Sequence, residues 1–370
     1  MRLYVNPAWR RGNDSYSPLM FPFWGNPLTE NNLFAKELFD SFSFDTRVYG
    51  ITDDITKADA VFPPYRQAWL MRRYPDLLAE CAQVAKDAGL PLFVDGLADG
   101  EQPLNIENAY IMRYGGYRFL REGQSKFGLP AHIGWEPNRI EVPTQADDLI
   151  LRCVGGDFVP RKKQEGKPAV GFAGMVKTTF KNMLHRRLDE LPIYVRGMFD
   201  GRYLSMSEGI FWRNTALRIL KGSNKIESNL TGRDFFSGGG KQVEGKMKDL
   251  QREFVDTILA SDYALDVRGY ANASVRLYEI LSLGRIPVIL DTERILPFSN
   301  FVDWSKFSLV VDFRDIRKLP DIIAEFHASL SPQQFEDMQR AARDAYVNYF
   351  RVDAQMPHIL EEFNALRASS

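Results

Sequence analysis

The sequence predicts an α/β fold of two domains, each a mainly parallel sheet with helices on its faces. Short apolar runs alternate with helical patterns along the whole chain, and this alternation is typical of βαβ units. The length of 370 residues suits two domains of ordinary size. A charged, proline-bracketed segment at 159–168 (VPRKKQEGKP) predicts the linker between them.

The amino-terminal half reads as strands separated by helical or irregular segments. Residues 74–89 (YPDLLAECAQVAKDAG) have the apolar spacing of a helix, and Gly89 stands where that helix should stop. Short apolar runs predict strands at 2–5, 60–62, 91–95, 109–113 and 148–153. Cys81 lies in the helix and Cys153 in the last strand, so we expect two small buried side chains and no disulfide framework.

The carboxy-terminal half repeats the alternation. It starts with the run AVGFAG at 169–174, and further strands are predicted at 192–196, 263–267, 285–290 and 307–311. Helices are predicted around Arg186 and Arg187, over 248–261, from Ser274, and within 319–368. The polar, Gly-rich stretch 223–245 is assigned neither strand nor helix. The predicted domains are residues 1–158 and 169–346.

Composition and charge exclude several classes of function. The 47 basic and 48 acidic residues give a net charge of −1, which lacks the excess of Lys and Arg that nucleic-acid binding needs. Two cysteines and four scattered histidines do not support a zinc site. The start, MRLYVNPAW, lacks a signal-peptide apolar run, and no run of ~18 apolar residues follows. We therefore expect a cytoplasmic protein, with peripheral membrane association as an open alternative.

Several familiar nucleotide motifs are absent or broken. GKQVEGKM (240–247) resembles a phosphate-binding P-loop, but Met247 stands where Ser or Thr would hold Mg²⁺. The sequence contains no G-x-G-x-x-G of a dinucleotide oxidoreductase and no G-x-S-x-G of a hydrolase. It also contains no Asp-x-Asp that could hold a metal ion on a diphosphate. A diphosphate in this protein would have to be neutralised by protein donors.

The segment 262–313 predicts an anion site. A strand (YALDV) leads into the loop RGYANA and then into a helix for which Ser274 can be the N-cap. Arg268 enters the loop and Arg276 lies in the first helical turn, so two guanidinium groups can converge on one anion. Glu279 follows Arg276 by three residues, hence on the same helix face, and could accept both ribose hydroxyls of a nucleotide.

A simpler interpretation of the same residues exists. Arg276 and Glu279 could form a surface ion pair, which would contribute only a few tenths of a kcal/mol. Gly269 could be no more than a turn residue.

Five blocks in this segment resemble the exostosin family of glycosyltransferases. They are VRG, N-A-S-V-R-L-Y-E-I-L, G-R-I-P-V-I-L, I-L-P-F and V-D-W-S-K-F, in this order. Weaker resemblance extends back to AVGFAG and forward to the helix after DIRKL, whereas the region before residue 159 matches only loosely. The resemblance therefore concerns the donor-binding half.

The resemblance implies a GT-B fold, with two facing Rossmann-like domains and a cleft between them. In such folds the terminal helix, here 347–370, can pack back on the amino-terminal domain. It also implies inverting transfer from a nucleotide sugar, usually a UDP-sugar, without a metal or other cofactor.

Site residues follow from the resemblance by position. Arg268 and Arg276 would contact the diphosphate and Glu279 the ribose. Asn272 and Ser274 would shape the loop or bond to the phosphate or sugar. The remaining donor-side candidates are Gly269, Lys177 and Arg233, the last two as further cations facing the diphosphate.

Inverting transfer needs a general base, which we expect from the amino-terminal domain. Asp95 is the candidate because it ends the strand PLFVD, and Asp99 and Glu101 compete with it from the following loop. Arg113 could line the acceptor site or only balance charge. His132 is expected to be an ordinary histidine and not the base.

The predicted function is sugar transfer from a nucleotide-sugar donor to a glycan or lipid-linked glycan in bacterial surface polysaccharide synthesis. A non-catalytic partner of another transferase, with the same fold, is the alternative. An NAD-dependent oxidoreductase is a third class, and the missing glycine fingerprint argues against it.

Overall fold

The computed structural model describes residues 1–11, 14–28, 33–42, 44–98, 103–121, 136–176, 190–235 and 247–369. They form two compact units. The first unit is Met1–Gln145, Ile295–Phe298 and Tyr349–Ser370, and the second is Ala146–Arg294 and Ser299–Asn348. We call them the N-terminal and the C-terminal unit.

The N-terminal unit contains a six-stranded sheet in which every neighbouring pair is parallel, in the order β2-β1-β3-β4-β5-β6. Its strands are β1 (Arg2–Tyr4), β2 (Gly50–Thr52), β3 (Ala60–Val61), β4 (Leu92–Asp95), β5 (Ala109–Arg113) and β6 (Arg139–Glu141). Its helices up to this point are α1 (Phe21–Trp24), α2 (Leu33–Ser41), α3 (Gln67–Arg73), α4 (Pro75–Asp87) and α5 (Arg118–Arg121).

Helix α4 shows why the local prediction succeeds. Pro75 opens the helix, where its missing N–H group has no partner to lose. Leu77 and Cys81 lie on its buried face. Gly89 follows the helix with φ +64°, a left-handed conformation that glycine adopts without strain.

The C-terminal unit contains a five-stranded parallel sheet in the order β11-β10-β9-β7-β8. Its strands are β7 (Ala169–Met175), β8 (Glu227–Arg233), β9 (Tyr263–Asp266), β10 (Ile286–Asp291) and β11 (Leu309–Asp312). Its helices are α6 (Leu191–Phe199), α7 (Gly209–Lys221), α8 (Met247–Leu259), α9 (Val275–Ser282), α10 (Leu319–Ser329) and α11 (Pro332–Ala345). The predicted α/β class, with two parallel Rossmann-like sheets, is confirmed.

The order of strands creates a switch point in the C-terminal sheet. From β7 the chain passes to β8 on one side, and it then returns to β9 on the other side. The strand order therefore reverses between β7 and β9, and ligands of open α/β sheets bind in the crevice at the carboxyl ends of the strands beside such a reversal.

Two predicted strands are wrong. Residues 192–196 belong to helix α6, because Pro192 lies in the first turn of a helix without cost, whereas it would remove a ladder hydrogen bond from a central strand. Most of residues 148–153 belong instead to a π-helical turn, Ile150–Val154. Asp148, just before that turn, is fixed by Arg343, whose nitrogens lie 2.8 and 2.9 Å from the carboxylate oxygens. Short apolar runs do not distinguish a strand from a buried helical turn.

Three strands were missed, β2, β6 and β8, and each lies at an edge of its sheet. Strand β8 has the polar sequence ESNLTGR and pairs only with β7, at the edge of the sheet. An edge strand buries few of its side chains, so its sequence need not show an apolar run.

The predicted linker at 159–168 is instead part of the C-terminal unit, and the division between the units falls after Gln145. Nε of Arg161 lies 2.8 Å from Oδ1 of Asp262, and its backbone N–H donates to Gln339 at 2.9 Å. Lys163 donates to the carbonyl of Leu330. Arg161 and Lys163 thus have specific partners in the C-terminal unit, which a flexible linker would not provide.

The last helix, α12 (Gln355–Ser369), belongs to the N-terminal unit. The ring of Phe363 lies 5.3 Å from that of Phe93 and 4.9 Å from that of Tyr110, both in edge-on geometry. Aromatic pairs of this kind stabilise beyond their buried area. Within the described ranges, no helix combines the length and apolarity needed to span a bilayer.

Candidate functional site

The candidate site lies at the switch point of the C-terminal sheet. Helix α9 starts there, after the loop that leaves β9, and Ser274 occupies the N-cap position as predicted. The side chain of Ser274 makes no capping hydrogen bond to the helix. Backbone N–H groups at the start of α9 and the partial positive charge of the helix therefore face the crevice.

Arg276 is the central cation of the site. Its Nη2 donates to the carbonyl of Ala173 in β7 at 3.1 Å, and its guanidinium lies over the ring of Phe172, 4.5 Å from the centroid. Its Nε and Nη1 are buried and donate to no residue in the described part of the chain. Leaving a buried donor without an acceptor costs about 1–3 kcal/mol, so a ligand acceptor that reached these two nitrogens would be bound favourably.

The electrostatics of Arg276 lead to the same conclusion. Burial lowers the pKa of its guanidinium, and the charge of Arg233 lowers it further, while Asp266 and Glu279 oppose this effect. A guanidinium whose charge is disfavoured by its surroundings binds an anion well, because the anion restores the lost stabilisation.

Glu279 lies one turn along the same helix and is half-buried. Burial raises the pKa of its carboxyl to about 7, which the charge of Arg276 opposes and that of Asp147 reinforces. No ion pair joins Glu279 to Arg276, and among the described residues its carboxylate has no hydrogen-bond partner. The simpler interpretation, a surface ion pair, is therefore wrong, and the carboxylate is available to a ligand.

Arg268 differs from its prediction. It is only 1% exposed, and its guanidinium donates to the backbone carbonyls of Ser205 (3.2 Å), Ser207 and Tyr270 (2.9 Å). These bonds tie the loop after β9 to the turn that precedes α7. In this conformation Arg268 is a scaffold for the loop and does not direct its charge into the crevice.

Asn272 and Gly269 also shape this loop. Asn272 donates to the carbonyl of Thr292 at 3.0 Å and accepts from its hydroxyl at 2.7 Å, which fixes the loop to the end of β10. The backbone N–H of Gly269 donates to Ala273 at 3.0 Å, closing the loop on itself. Of the two roles that the resemblance allowed for Asn272, these contacts support the shaping of the loop.

The remaining predicted cations are placed differently. Arg233 ends β8, and its guanidinium is occupied by Glu253 at 2.5 Å and by the carbonyl of Leu250 at 3.3 Å. Its charge still reaches Arg276, whose pKa it lowers. Lys177 lies outside the described residues.

Sequence reasoning missed Arg213. This residue lies in the first turns of α7, and its guanidinium spans the switch point: Nε donates to the carbonyl of Val267 at 3.2 Å and Nη1 to that of Met175 at 3.4 Å. Burial lowers its pKa to about 9, and the charge of Arg276 is the next cause. The apolar spacing of Trp212, Ala216 and Leu220 is a signal that could have revealed α7, with a basic residue near its start.

Asp266, at the end of β9, was also not singled out. It is fully buried, and its Oδ2 accepts from Nη1 of Arg294 at 2.7 Å. Its negative charge raises the pKa values of both Arg213 and Arg276. This carboxylate therefore keeps the cations of the site charged.

In the N-terminal unit, Asp95 does end β4 as predicted, but it is only 1% exposed. Its oxygens accept from the hydroxyl of Ser17 at 2.5 Å and from the N–H of Leu97 at 3.0 Å, with Nε of Arg66 at 3.7 Å. These contacts give Asp95 a structural role and argue against its prediction as the base. Asp99, Glu101 and His132 lie outside the described residues.

Arg113 is buried and not part of an open acceptor surface. Its guanidinium makes a two-pronged pair with Glu136, at 2.8 and 2.6 Å, and donates to Gln67 at 2.6 Å. Of the two interpretations of Arg113, lining the acceptor site or balancing charge, these contacts support the second.

Residues 219–326 match the family described as the Exostosin GT47 domain. The predicted resemblance to exostosins is thereby confirmed for this part of the chain. It contains strands β8 to β11 and the residues Arg276 and Glu279. The chain is 30% identical over 109 residues to the Exostosin-1 homolog of Caenorhabditis elegans, covering 29% of this chain and 28% of that protein. It is 29% identical over 99 residues to human Exostosin-2, covering 27% of this chain and 13% of that protein.

The chain thus spans less than a third of the length of these curated relatives. Among solved structures, it is similar to Anabaena Alr3699/HepE in complex with UDP-glucose, with a TM-score of 0.38 and 10% identity over 100% of this chain and 99% of that one. It is also similar to a glycosyltransferase from Rickettsia africae, with a TM-score of 0.36 and 11% identity over 92% and 82% of the two chains.

Proposed function

We propose that this protein is a glycosyltransferase that moves a sugar from a nucleotide-sugar donor, a UDP-sugar, to a glycan acceptor with inversion. The observation that carries the proposal is the state of Arg276 at the start of α9, whose two buried donors have no acceptor among the residues that the structure describes. A diphosphate supplies both the oxygen acceptors and the negative charge that this place lacks.

The ribose of the nucleotide would lie on Glu279. A half-buried carboxylate without a partner costs free energy unless hydroxyl groups bind to it. Two vicinal hydroxyls can donate to its two oxygens. The carboxylate then needs no cation to offset the cost of its burial. Arg276 and Glu279, three residues apart on one helix face, would thus bind two neighbouring parts of one nucleotide.

The chemistry of the proposed transfer follows from the charges. Breaking the glycosidic bond leaves negative charge on the diphosphate, and the fixed guanidinium of Arg276 stabilises that charge without a metal ion. The acceptor hydroxyl must lose a proton to a general base. In this proposal the base is a residue of the N-terminal unit. Because the oxygens of Asp95 already accept hydrogen bonds, Asp99 and Glu101 are the leading candidates for the base.

The acceptor is proposed to be a glycan or lipid-linked glycan of a bacterial surface polysaccharide, made on the cytoplasmic side of the membrane. This assignment rests on analogy with what exostosin-like enzymes build. The chain's own residues Arg276 and Glu279 support the nucleotide site.

A thermal-shift experiment tests the proposal first. UDP at about 100 times its Kd should stabilise the protein by about 2.7 kcal/mol, whereas NAD should leave the melting temperature unchanged. Release of UDP from a UDP-sugar in the presence of acceptor, undiminished by EDTA, should follow. Stabilisation by UDP without turnover on any donor would favour a non-catalytic binding partner, and loss of activity with EDTA would contradict the metal-free mechanism.

Gly174 provides a test of how Arg276 is positioned. A Cβ added at Gly174 would overlap Nη2 of Arg276, so Gly174→Ala should displace the guanidinium from the carbonyl of Ala173. We expect UDP affinity to fall about tenfold, equivalent to ~1.4 kcal/mol, because charge-assisted bonds depend on geometry.

The matched control is Gly201→Ala in the same unit, where an added Cβ meets no atom within 4 Å. This variant should bind UDP as the wild type does. Equal UDP affinity in Gly174→Ala and Gly201→Ala, measured by calorimetry, would show that Arg276 does not hold the nucleotide from this position.

A further inference from the structure

Arg213 lies where the two halves of the switch point meet. It reaches Met175 at the end of β7 and Val267 just after β9, so it bridges the two strands between which the crevice opens. Arg276 approaches the same strand β7 from helix α9, through Ala173. Two guanidinium groups from different helices therefore border one gap at the carboxyl edge of the sheet.

The guanidinium of Arg213 is only partly used by the protein. Its Nε and Nη1 make long bonds of 3.2 and 3.4 Å to backbone carbonyls. Its Nη2 donates to no residue in the part of the chain that the structure describes, and unlike the buried nitrogens of Arg276 it is not sealed from solvent. A Cβ at Gly269 would lie 3.8 Å from this Nη2, so the loop after β9 runs directly beside it.

The charges around Arg213 favour the binding of an anion. Arg276, Arg268 and Arg294 all lie near enough for their charges to disfavour the cationic form of Arg213, and Asp266 is the carboxylate that opposes them. Asp266 already forms an ion pair with Arg294. Even with Glu279, whose charge acts on Arg276, these four guanidinium groups outnumber the two carboxylates, and a ligand with two negative phosphates would offset the excess of positive charge.

We propose that Arg213, and not Arg268, is the second guanidinium that binds the diphosphate of the donor together with Arg276. Arg268 cannot fill this role while its Nη1 and Nη2 hold the carbonyls of Ser205, Ser207 and Tyr270. Nη2 of Arg213 donates to one phosphate and Arg276 to the other or to the bridging region, from opposite sides of the crevice. This inference rests on the proposed function, which supplies the nucleotide.

The experiment compares UDP with uridine on the full chain. Uridine has the base and the ribose but no diphosphate. Arg213→Met should raise the Kd for UDP about 10- to 100-fold, the range for hydrogen bonds between charged groups, and leave the Kd for uridine unchanged. Arg218→Met is the matched control, since Arg218 lies on the same helix α7 but is exposed. It should change neither Kd.

Two further variants keep the outcomes distinguishable. If Arg213→Met fails to fold, Arg213→Lys replaces it. Lys keeps the charge but loses the planar fork, and should still weaken UDP several-fold while sparing uridine. Wild-type UDP affinity in the Arg213 variant, with UDP binding lost in Arg276→Met, would overturn the inference and leave the proposed function standing. Equal weakening of UDP and uridine would show a structural role only. Failure of the wild-type chain to bind UDP would overturn both.

Discussion

Arg276→Ala is expected to lower kcat about 10²–10³-fold while raising KM for the donor far less. Negative charge grows on the leaving diphosphate in the transition state, and a fixed cation there contributes most at that moment. The guanidinium is held by Ala173 and by the ring of Phe172, so it needs no reorganisation when the bond breaks. Steady-state kinetics with a UDP-sugar and acceptor measure both parameters.

The matched variant is Arg276→Lys. It should recover little activity, because an ammonium cannot reproduce two donors in a plane. Stability should change little in either variant, since each removes two buried donors that have no acceptor in the described ranges, along with one bond to Ala173. An unchanged kcat in Arg276→Ala would place the diphosphate elsewhere.

Glu279→Gln is expected to weaken nucleotide binding by roughly 1.5–3 kcal/mol, the range for a hydrogen bond to a charged group. The ribose contact is the same in the ground state and the transition state, so the loss should appear in binding and not in kcat. Uridine is the cleaner ligand for this measurement, because it carries the ribose but no titrating phosphate.

The pH dependence of uridine binding tests the same contact. Burial holds the pKa of Glu279 at about 7 in the free protein, and hydroxyl donors bind the ionised form. Affinity should therefore rise as the pH rises through about 7 and level off above it, once the carboxyl is fully ionised. Glu279→Gln should remove this dependence, and a wild-type affinity that is flat between pH 5 and 8 would contradict the assignment.

The stability of the free protein should change in the opposite direction. The folded-state pKa of Glu279 is raised from its usual 4.5 to about 7, so between these values the folded protein binds more protons than the unfolded chain. Stability supplied by this group is then present at low pH and is lost as the pH rises through about 7. The difference between wild type and Glu279→Gln isolates this contribution in urea unfolding.

The sequence predicts those parts of the site that depend on local pattern. Strand β9, the loop and helix α9 form a contiguous strand–loop–helix unit, so the positions of Arg276 and Glu279 followed from spacing alone. Local pattern does not give the direction of a side chain. Arg268 has the right position for an anion site, yet its guanidinium turns inward to three backbone carbonyls.

Other parts of the site depend on contacts between distant segments. Arg213 comes from α7, and only the parallel sheet brings it beside Arg276. Similarly, the charged residues Arg161 and Lys163 resemble a linker in the sequence, because their partners Asp262 and Leu330 lie far along the chain. These contacts join residues that are far apart in the sequence, so local composition does not predict them.

The structure of the protein with UDP bound is the measurement that tests the central claim most directly. The account predicts diphosphate oxygens about 3 Å from Nε or Nη1 of Arg276, with both ribose hydroxyls donating to the carboxylate of Glu279. The nucleotide should lie at the carboxyl ends of β7 and β9, at the switch point of the C-terminal sheet. A diphosphate bound away from that edge, or one that contacts neither residue, would contradict the account.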